Sequence, residues 1–189
     1  MITTIKTAAT KNSLTLAEVK EHLRLELSEV TENDSLLTLI RTSEKIAQDY
    51  TGRKFISQTI YYYLPEWPSS DYIRLPYGNL QTIDRITYWD SNESSSAFAA
   101  TYWYSDTDSD PGRAVLRYGE EWPTATLDSR NPIRVQYICG YGKDPSSVPE
   151  PIRQAMKIII GNLYVNRESG EIPQVSKTLL KDYRLFWSF

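Results

Sequence analysis

Ser147-Val-Pro-Glu-Pro-Ile-Arg-Gln-Ala-Met-Lys-Ile-Ile-Ile-Gly-Asn-Leu163 decides the fold. Pro149 and Pro151 sit where a first helical turn tolerates a missing N–H, and Ser147 with Glu150 has capping-box spacing. Ile152, Ala155, Met156, Ile159, Ile160 and Leu163 then recur at helical spacing. The run predicts a helix over 152–167 with a wide apolar stripe, and such a stripe needs a partner.

The partner is sought at the other end of the chain. Residues 1–12 are polar, without periodicity, and read as an extended arm. In Leu14-Thr-Leu-Ala-Glu-Val-Lys-Glu-His-Leu-Arg-Leu25, Thr15 and Glu18 form a capping box, and Leu16, Val19 and Leu23 share one helical face. Ser28 to Asp34 is a polar break in which Asn33 or Asp34 can cap a second helix. That helix carries Leu36, Leu37, Ile40, Ala47 and Tyr50 and stops at Gly52. Together the two helices form an antiparallel hairpin that can cover the 152–167 stripe.

Between them the period changes. Phe55–Leu64, Tyr72–Leu75, Thr82–Trp89, Ala99–Tyr104, Ala114–Tyr118 and Ile133–Cys139 read as short strands, separated by turn-rich clusters. The expected fold is α+β: a three-helix core of two N-terminal helices and one C-terminal helix, with an antiparallel β-sheet or sandwich inserted. The expected segments are 1–53 (arm and helical hairpin), 54–144 (β-rich insertion) and 145–189 (helix and aromatic tail, packing with 14–53). Glu168–Val175 reads as a polar loop.

Composition narrows the function. A chain of 189 residues holds about one domain and a quarter, and buries enough surface to need no covalent staple. One cysteine, Cys139, excludes an intramolecular disulfide, and with the single His22 it supplies no tetrahedral zinc set. A net charge of −3 argues against a broad basic face gripping nucleic acid. No apolar run is long enough for a membrane span, and the N-terminus has no signal-peptide core. Fourteen tyrosines and five tryptophans against four phenylalanines favour half-wet surfaces and interfaces.

Several motifs invite a chemical reading. Asp106, Asp108 and Asp110 alternate like the start of a calcium loop, but Pro111 and Arg117 stand where that loop needs glycine and a carboxylate. His22, near Glu18, Glu21 and Glu26, has no nucleophile or oxyanion donor indicated beside it. Gly140-Tyr-Gly142 is too short for a phosphate loop. Catalytic residues, cofactors and metal ligands are therefore all expected to be absent. Tyr61-Tyr-Tyr63, Tyr88-Trp89 and Tyr102-Trp-Tyr104 build a sugar-stacking face only if one side of each run lines up across strands. Lys20, Arg24, Arg41 and Lys45 are i, i+4 pairs of like charge: two solvated helix faces, or stripes that face DNA phosphates. The tail Leu179–Phe189 is far more aromatic than a disordered terminus. It docks on its own core, or plugs a partner through Leu179, Leu180, Tyr183, Phe186, Trp187 and Phe189.

Taken in order, these segments resemble the head–tail connector (adaptor, or head-completion) proteins of tailed phages, in the long form with a β insertion. The resemblance is carried by Leu16-Ala-Glu-Val-Lys-Glu-His-Leu-Arg-Leu25, Asp34-Ser-Leu-Leu-Thr-Leu-Ile40 running to Tyr50-Thr-Gly-Arg53, and Ile73-Arg-Leu-Pro-Tyr-Gly-Asn-Leu-Gln-Thr-Ile83 with Ile86-Thr-Tyr-Trp-Asp90. Tyr118-Gly-Glu-Glu-Trp-Pro123, Val135-Gln-Tyr-Ile-Cys-Gly-Tyr-Gly142, Val148-Pro-Glu-Pro-Ile-Arg-Gln-Ala-Met156 and Tyr164-Val-Asn-Arg-Glu168 complete it. Cys139 departs from the pattern, which usually has alanine there. The resemblance implies a non-enzymatic virion protein, assembled in the host cytoplasm, that forms a twelve-fold ring beneath the portal. Implied partners are the portal, a tail, stopper or tail-terminator protein, further copies of itself, and duplex DNA passing without sequence specificity. On this reading the tail residues bind portal, and Ile152, Met156, Ile159, Ile160 and Leu163 form the ring contact. The alternatives are a carbohydrate-binding or other tail-associated virion module, and an enzyme using carboxylates of the β region.

Overall fold

The computed structural model describes residues 2–166 and 171–185, and the fold is α+β. Two compact units share the chain. One takes the arm through Ala8 and Ser57–Gly140; of the described residues the other takes Ala9–Ile56 and 141–185.

In the first unit the arm is a strand, β1 (Ile2–Thr7), which pairs antiparallel with β2 (Gln58–Leu64). Five strands lie in the order β1-β2-β8-β4-β5, with β4 (Leu80–Trp89), β5 (Ser95–Phe98) and β8 (Ile133–Cys139) completing the antiparallel sheet. Three more, β3 (Tyr72–Arg74), β6 (Trp103–Asp106) and β7 (Arg113–Leu116), make a small antiparallel sheet in the order β3-β7-β6.

Alternation selects the core. Ile133, Val135, Tyr137 and Cys139 of β8, with Ile60 and Tyr62 of β2, pack against Ile73, Leu75, Ala114, Leu116 and Trp103. Each fully buried aliphatic there contributes about 1.5–3 kcal/mol over exposure. Tyr137 is the largest fully buried side chain of that core; its hydroxyl donates to the Pro76 carbonyl at 3.0 Å, and burial pushes its pKa well up. Two irregularities in β4, between Leu80 and Thr82 and between Ile83 and Arg85, reset its register against β8.

Ala99–Tyr104 is two elements, not one. β5 ends at Phe98, a turn closes with the Tyr102 amide donating to the Ala99 carbonyl (3.1 Å), and β6 starts at Trp103. Thr101 to Tyr104 have β propensity, and it hides the turn that the weaker strand formers Ala99 and Ala100 begin.

The second unit holds α1 (Leu16–Leu23), α2 (Asn33–Thr51), α3 (Glu150–Val165) and α4 (Gln174–Leu180). The Thr15/Glu18 capping box is formed in both directions. Gly52 takes φ 72° and ends α2 with its N–H on the Gln48 carbonyl at 2.8 Å. Two expected caps are not made. α2 starts from Glu32 without a side-chain cap, and α3 starts from Pro149, with Pro145–Ser147 forming a separate 3₁₀ turn. Pro151 in the first turn has no N–H to satisfy, and the Ile152 N–H goes to the Pro149 carbonyl at 3.0 Å, so the hydroxyl of Ser147 is not needed there.

α4 falls where a loop and tail were expected. It seats on α3 through the Ser176 hydroxyl, buried and donating to the Ala155 carbonyl at 3.1 Å, and through Leu180, fully buried. Seven residues are too few to show a helical period, so tertiary contact decides this element.

Candidate functional site

The candidate chemical sites resolve into structure. Asp106 accepts from the Ser109 hydroxyl at 2.6 Å and amide at 3.1 Å, and from Arg113 Nη2 at 2.6 Å and Nε at 2.9 Å. The Ser109 hydroxyl and then Arg113 hold the Asp106 carboxyl down at about 2. This is a turn pinned by a forked ion pair, with Arg113 also over the Tyr72 ring. Among the described residues no group of three or more histidine, cysteine or acidic side chains could hold a metal ion. His22 is exposed on α1 beside Gly161 of α3, where a Cβ would lie 3.7 Å from its Nε2.

Glu18 has a second task besides capping. It pairs with Arg153 of α3, tying α1 to α3. Burial alone would raise its pKa; the Thr15 amide and hydroxyl, with Arg153 and Lys157, outweigh that and hold it below the usual range.

The four basic residues read as DNA-facing are not all at the surface. Lys20 is 4% exposed, a correction to that expectation: its ammonium donates to the Leu27 carbonyl at 3.2 Å and to that of Glu29, closing the loop after α1. Lys45 is exposed and pairs with Asp49 one turn on. Arg24 sits in the left-handed region at φ 58° as the C-cap of α1, and it and Arg41 are exposed.

The apolar stripe of α3 is buried within its own chain. Ile152, Met156 and Ile160 are fully covered, alongside Leu14, Val19, Leu36, Ile40 and Phe55, and Ile159 is 2% exposed. These four therefore offer no free area to a neighbour, which corrects the ring-contact expectation for them. Leu163 is different. It is half-buried and lines an open groove of about 520 Å³ with Glu32, Ser35, Thr38, Leu39, Thr42 and Tyr164.

Three exposed apolar side chains of the helical unit were missed by sequence reasoning. Leu27 and Val30, in the α1–α2 connection, are 64% and 66% exposed, and Val165 at the end of α3 is 77% exposed. Tyr164 donates to Glu32 at 2.8 Å, and Glu32 also borders a second groove lined by Leu25, Glu29 and Leu36. The signal was present: Leu27 and Val30 are aliphatics at and within an otherwise polar break.

Of the tail residues, Leu180 is fully buried and unavailable to a partner while α4 is docked. Leu179 and Tyr183 are half-buried against the helical core, and Arg53 Nε donates to the Tyr183 carbonyl at 2.5 Å. Phe186, Trp187 and Phe189 lie outside the described residues.

The aromatic runs divide as alternation requires. Tyr62 and Trp103 face the core, while Tyr61 and Tyr63 stand on the other side of the large sheet. Tyr102 stacks on Phe98 at 5.5 Å, and Trp67 stacks on Trp122 at 5.1 Å to close one end of the core.

No family profile and no curated protein sequence matches this chain. Solved structures do. A chain from "Neck of empty GTA particle computed with C6 symmetry" superposes with a TM-score of 0.83 at 23% identity, covering 100% of this chain and 98% of that one. Chains from "Virion of native gene transfer agent (GTA) particle" and "Neck of native GTA particle computed with C12 symmetry" give TM-scores of 0.81 and 0.80 at 20% and 21% identity, with the same coverage. The fold is thus shared, end to end, with chains in the necks and virion of gene transfer agent particles.

Proposed function

We propose that this protein is a structural, non-enzymatic neck subunit of a phage or phage-like virion, forming a ring between the portal and the tail that extends the DNA channel. The observation that carries the reading is the full-length fold likeness to chains of particle necks. The surface chemistry supports it, because the exposed aliphatics Leu27, Val30 and Val165, and separately the groove at Leu39 and Leu163, are apolar surface of the kind that another protein covers.

On this reading the ring contact takes in these side chains and the groove, with Leu163 the member of the expected set that takes part. The contact is heterologous and closes on itself. The net negative charge lets DNA slide rather than stick. The remaining partners are the portal above and a tail, stopper or tail-terminator protein below. The tail from Leu179 to Phe189 is proposed to meet the portal, with Leu179 and Tyr183 as the half-exposed part of its described stretch.

Electron microscopy of the purified chain, alone and mixed with its portal, tests the reading. A ring capping the portal is expected. A monomer that leaves the portal bare overturns it.

A further inference from the structure

The outer side of the five-stranded sheet carries rings and cations that neither the core nor the proposed ring contact uses. Register puts Tyr63, Arg134 and Thr87 in one row across β2, β8 and β4, and Tyr61, Gln136 and Arg85 in the next. Arg134 lies with its Cζ 4.6 Å from the Tyr61 ring centre and 4.9 Å from that of Trp89. Lys6 Nζ is 5.2 Å from the Tyr61 ring centre, and Tyr63 meets Tyr61 edge-on at 6.2 Å.

The acidic side chain of this face is engaged. Gln136 Nε2 donates to Asp84 Oδ2 at 2.9 Å, while Lys6 Nζ donates to Gln136 Oε1 at 3.3 Å. Among the described residues no carboxylate is in ion-pair distance of Arg134. A guanidinium held against two rings is weakly hydrated and already oriented, so its planar N–H fork can take a carboxylate through two parallel bonds.

We propose that this face docks a short, extended, acidic segment of a partner protein, one carboxylate on Arg134 and its neighbours on Lys6 and Arg85. Three cations against Asp84 leave a local excess of positive charge on a chain that is negative overall. That suits a few carboxylates. A grip on duplex DNA requires a row of phosphate contacts, and the rest of the chain repels a polyanion at range. Sugar stacking is disfavoured by the same geometry, since the cations lie over the Tyr61 and Trp89 rings.

The test is fluorescence anisotropy of a labelled hexaglutamate peptide with the full chain at low salt. Saturable binding is expected, weakened about tenfold by Arg134→Gln and only partly restored by Arg134→Lys, which keeps the charge but loses the fork. Arg117→Gln, an exposed arginine beyond β7, is expected to leave binding unchanged. Thermal melts confirm that each variant is folded; if Arg134→Gln is not, Arg85→Gln and Lys6→Gln take its place, each expected to weaken binding. Absent binding, or binding indifferent to these substitutions, overturns the proposal. So does duplex DNA that displaces the peptide through Arg134, or self-association of the chain that Arg134→Gln abolishes.

Discussion

The helical unit and the β unit treat their apolar residues in opposite ways. Along α3 the greasiest run of the sequence disappears inward, with Ile152, Met156 and Ile160 fully covered by α1, α2, α4 and the segments beside them. The large sheet buries one side and leaves on the other a half-wet group of Tyr61, Tyr63, Arg134 and Trp89. An apolar stripe marks what a chain needs for itself; the surfaces left for others are isolated aliphatics in polar company and rings that carry a polar partner.

Substitutions can break this contrast, and the largest effect falls inside the helical unit. Ile160→Ala removes a fully buried side chain and is expected to cost about 3–4 kcal/mol in a denaturant titration. If Ile160 lay instead in a contact between subunits, the isolated chain would lose little. Next is Gly112→Ala in the β unit. A Cβ there would collide with the Leu80 side chain, and the expected loss is about 2 kcal/mol by thermal melt.

Glu18→Ala removes a capping box and the link to Arg153 together, for about 2 kcal/mol, whereas Glu18→Gln keeps the cap and loses only part of that. Asp106→Asn has a smaller effect with a pH signature. The Asp106 carboxyl titrates lower folded, at about 2, than unfolded, so its contribution is complete above about pH 4 and is lost as pH falls towards 2. The variant should lack that part of the acid limb in urea midpoints taken between pH 5 and 2. Smallest for stability is the triple change Leu27→Ser, Val30→Ser and Val165→Ser, expected to move the melt by under about 0.5 kcal/mol because these side chains are exposed.

Much of the fold was legible, for physical reasons. The helical periods of 16–23 and 152–163 and the Thr15/Glu18 box are local, and β8 matches its expected bounds because strict alternation over Ile133–Cys139 has one solution. The elements that were not legible depend on contacts distant in sequence. β1 exists because β2 offers it an edge, and α4 because α3 offers Ala155 and a seat for Leu180. Candidate surfaces were read less well. Lys20 looks like a solvated charge until its ammonium is found closing the loop at Leu27 and Glu29. Arg134 looks ordinary until β2 and β4 bring Tyr61 and Trp89 to it.

The most direct test of the account weighs the complex formed on the isolated portal, by mass photometry, for the wild-type chain and the Leu27/Val30/Val165 triple serine variant. The account predicts that wild type adds a closed set of 21.8 kDa subunits, while the variant, folded and melting as wild type does, fails to complete the set. A variant that loads the portal as fully as wild type would contradict it.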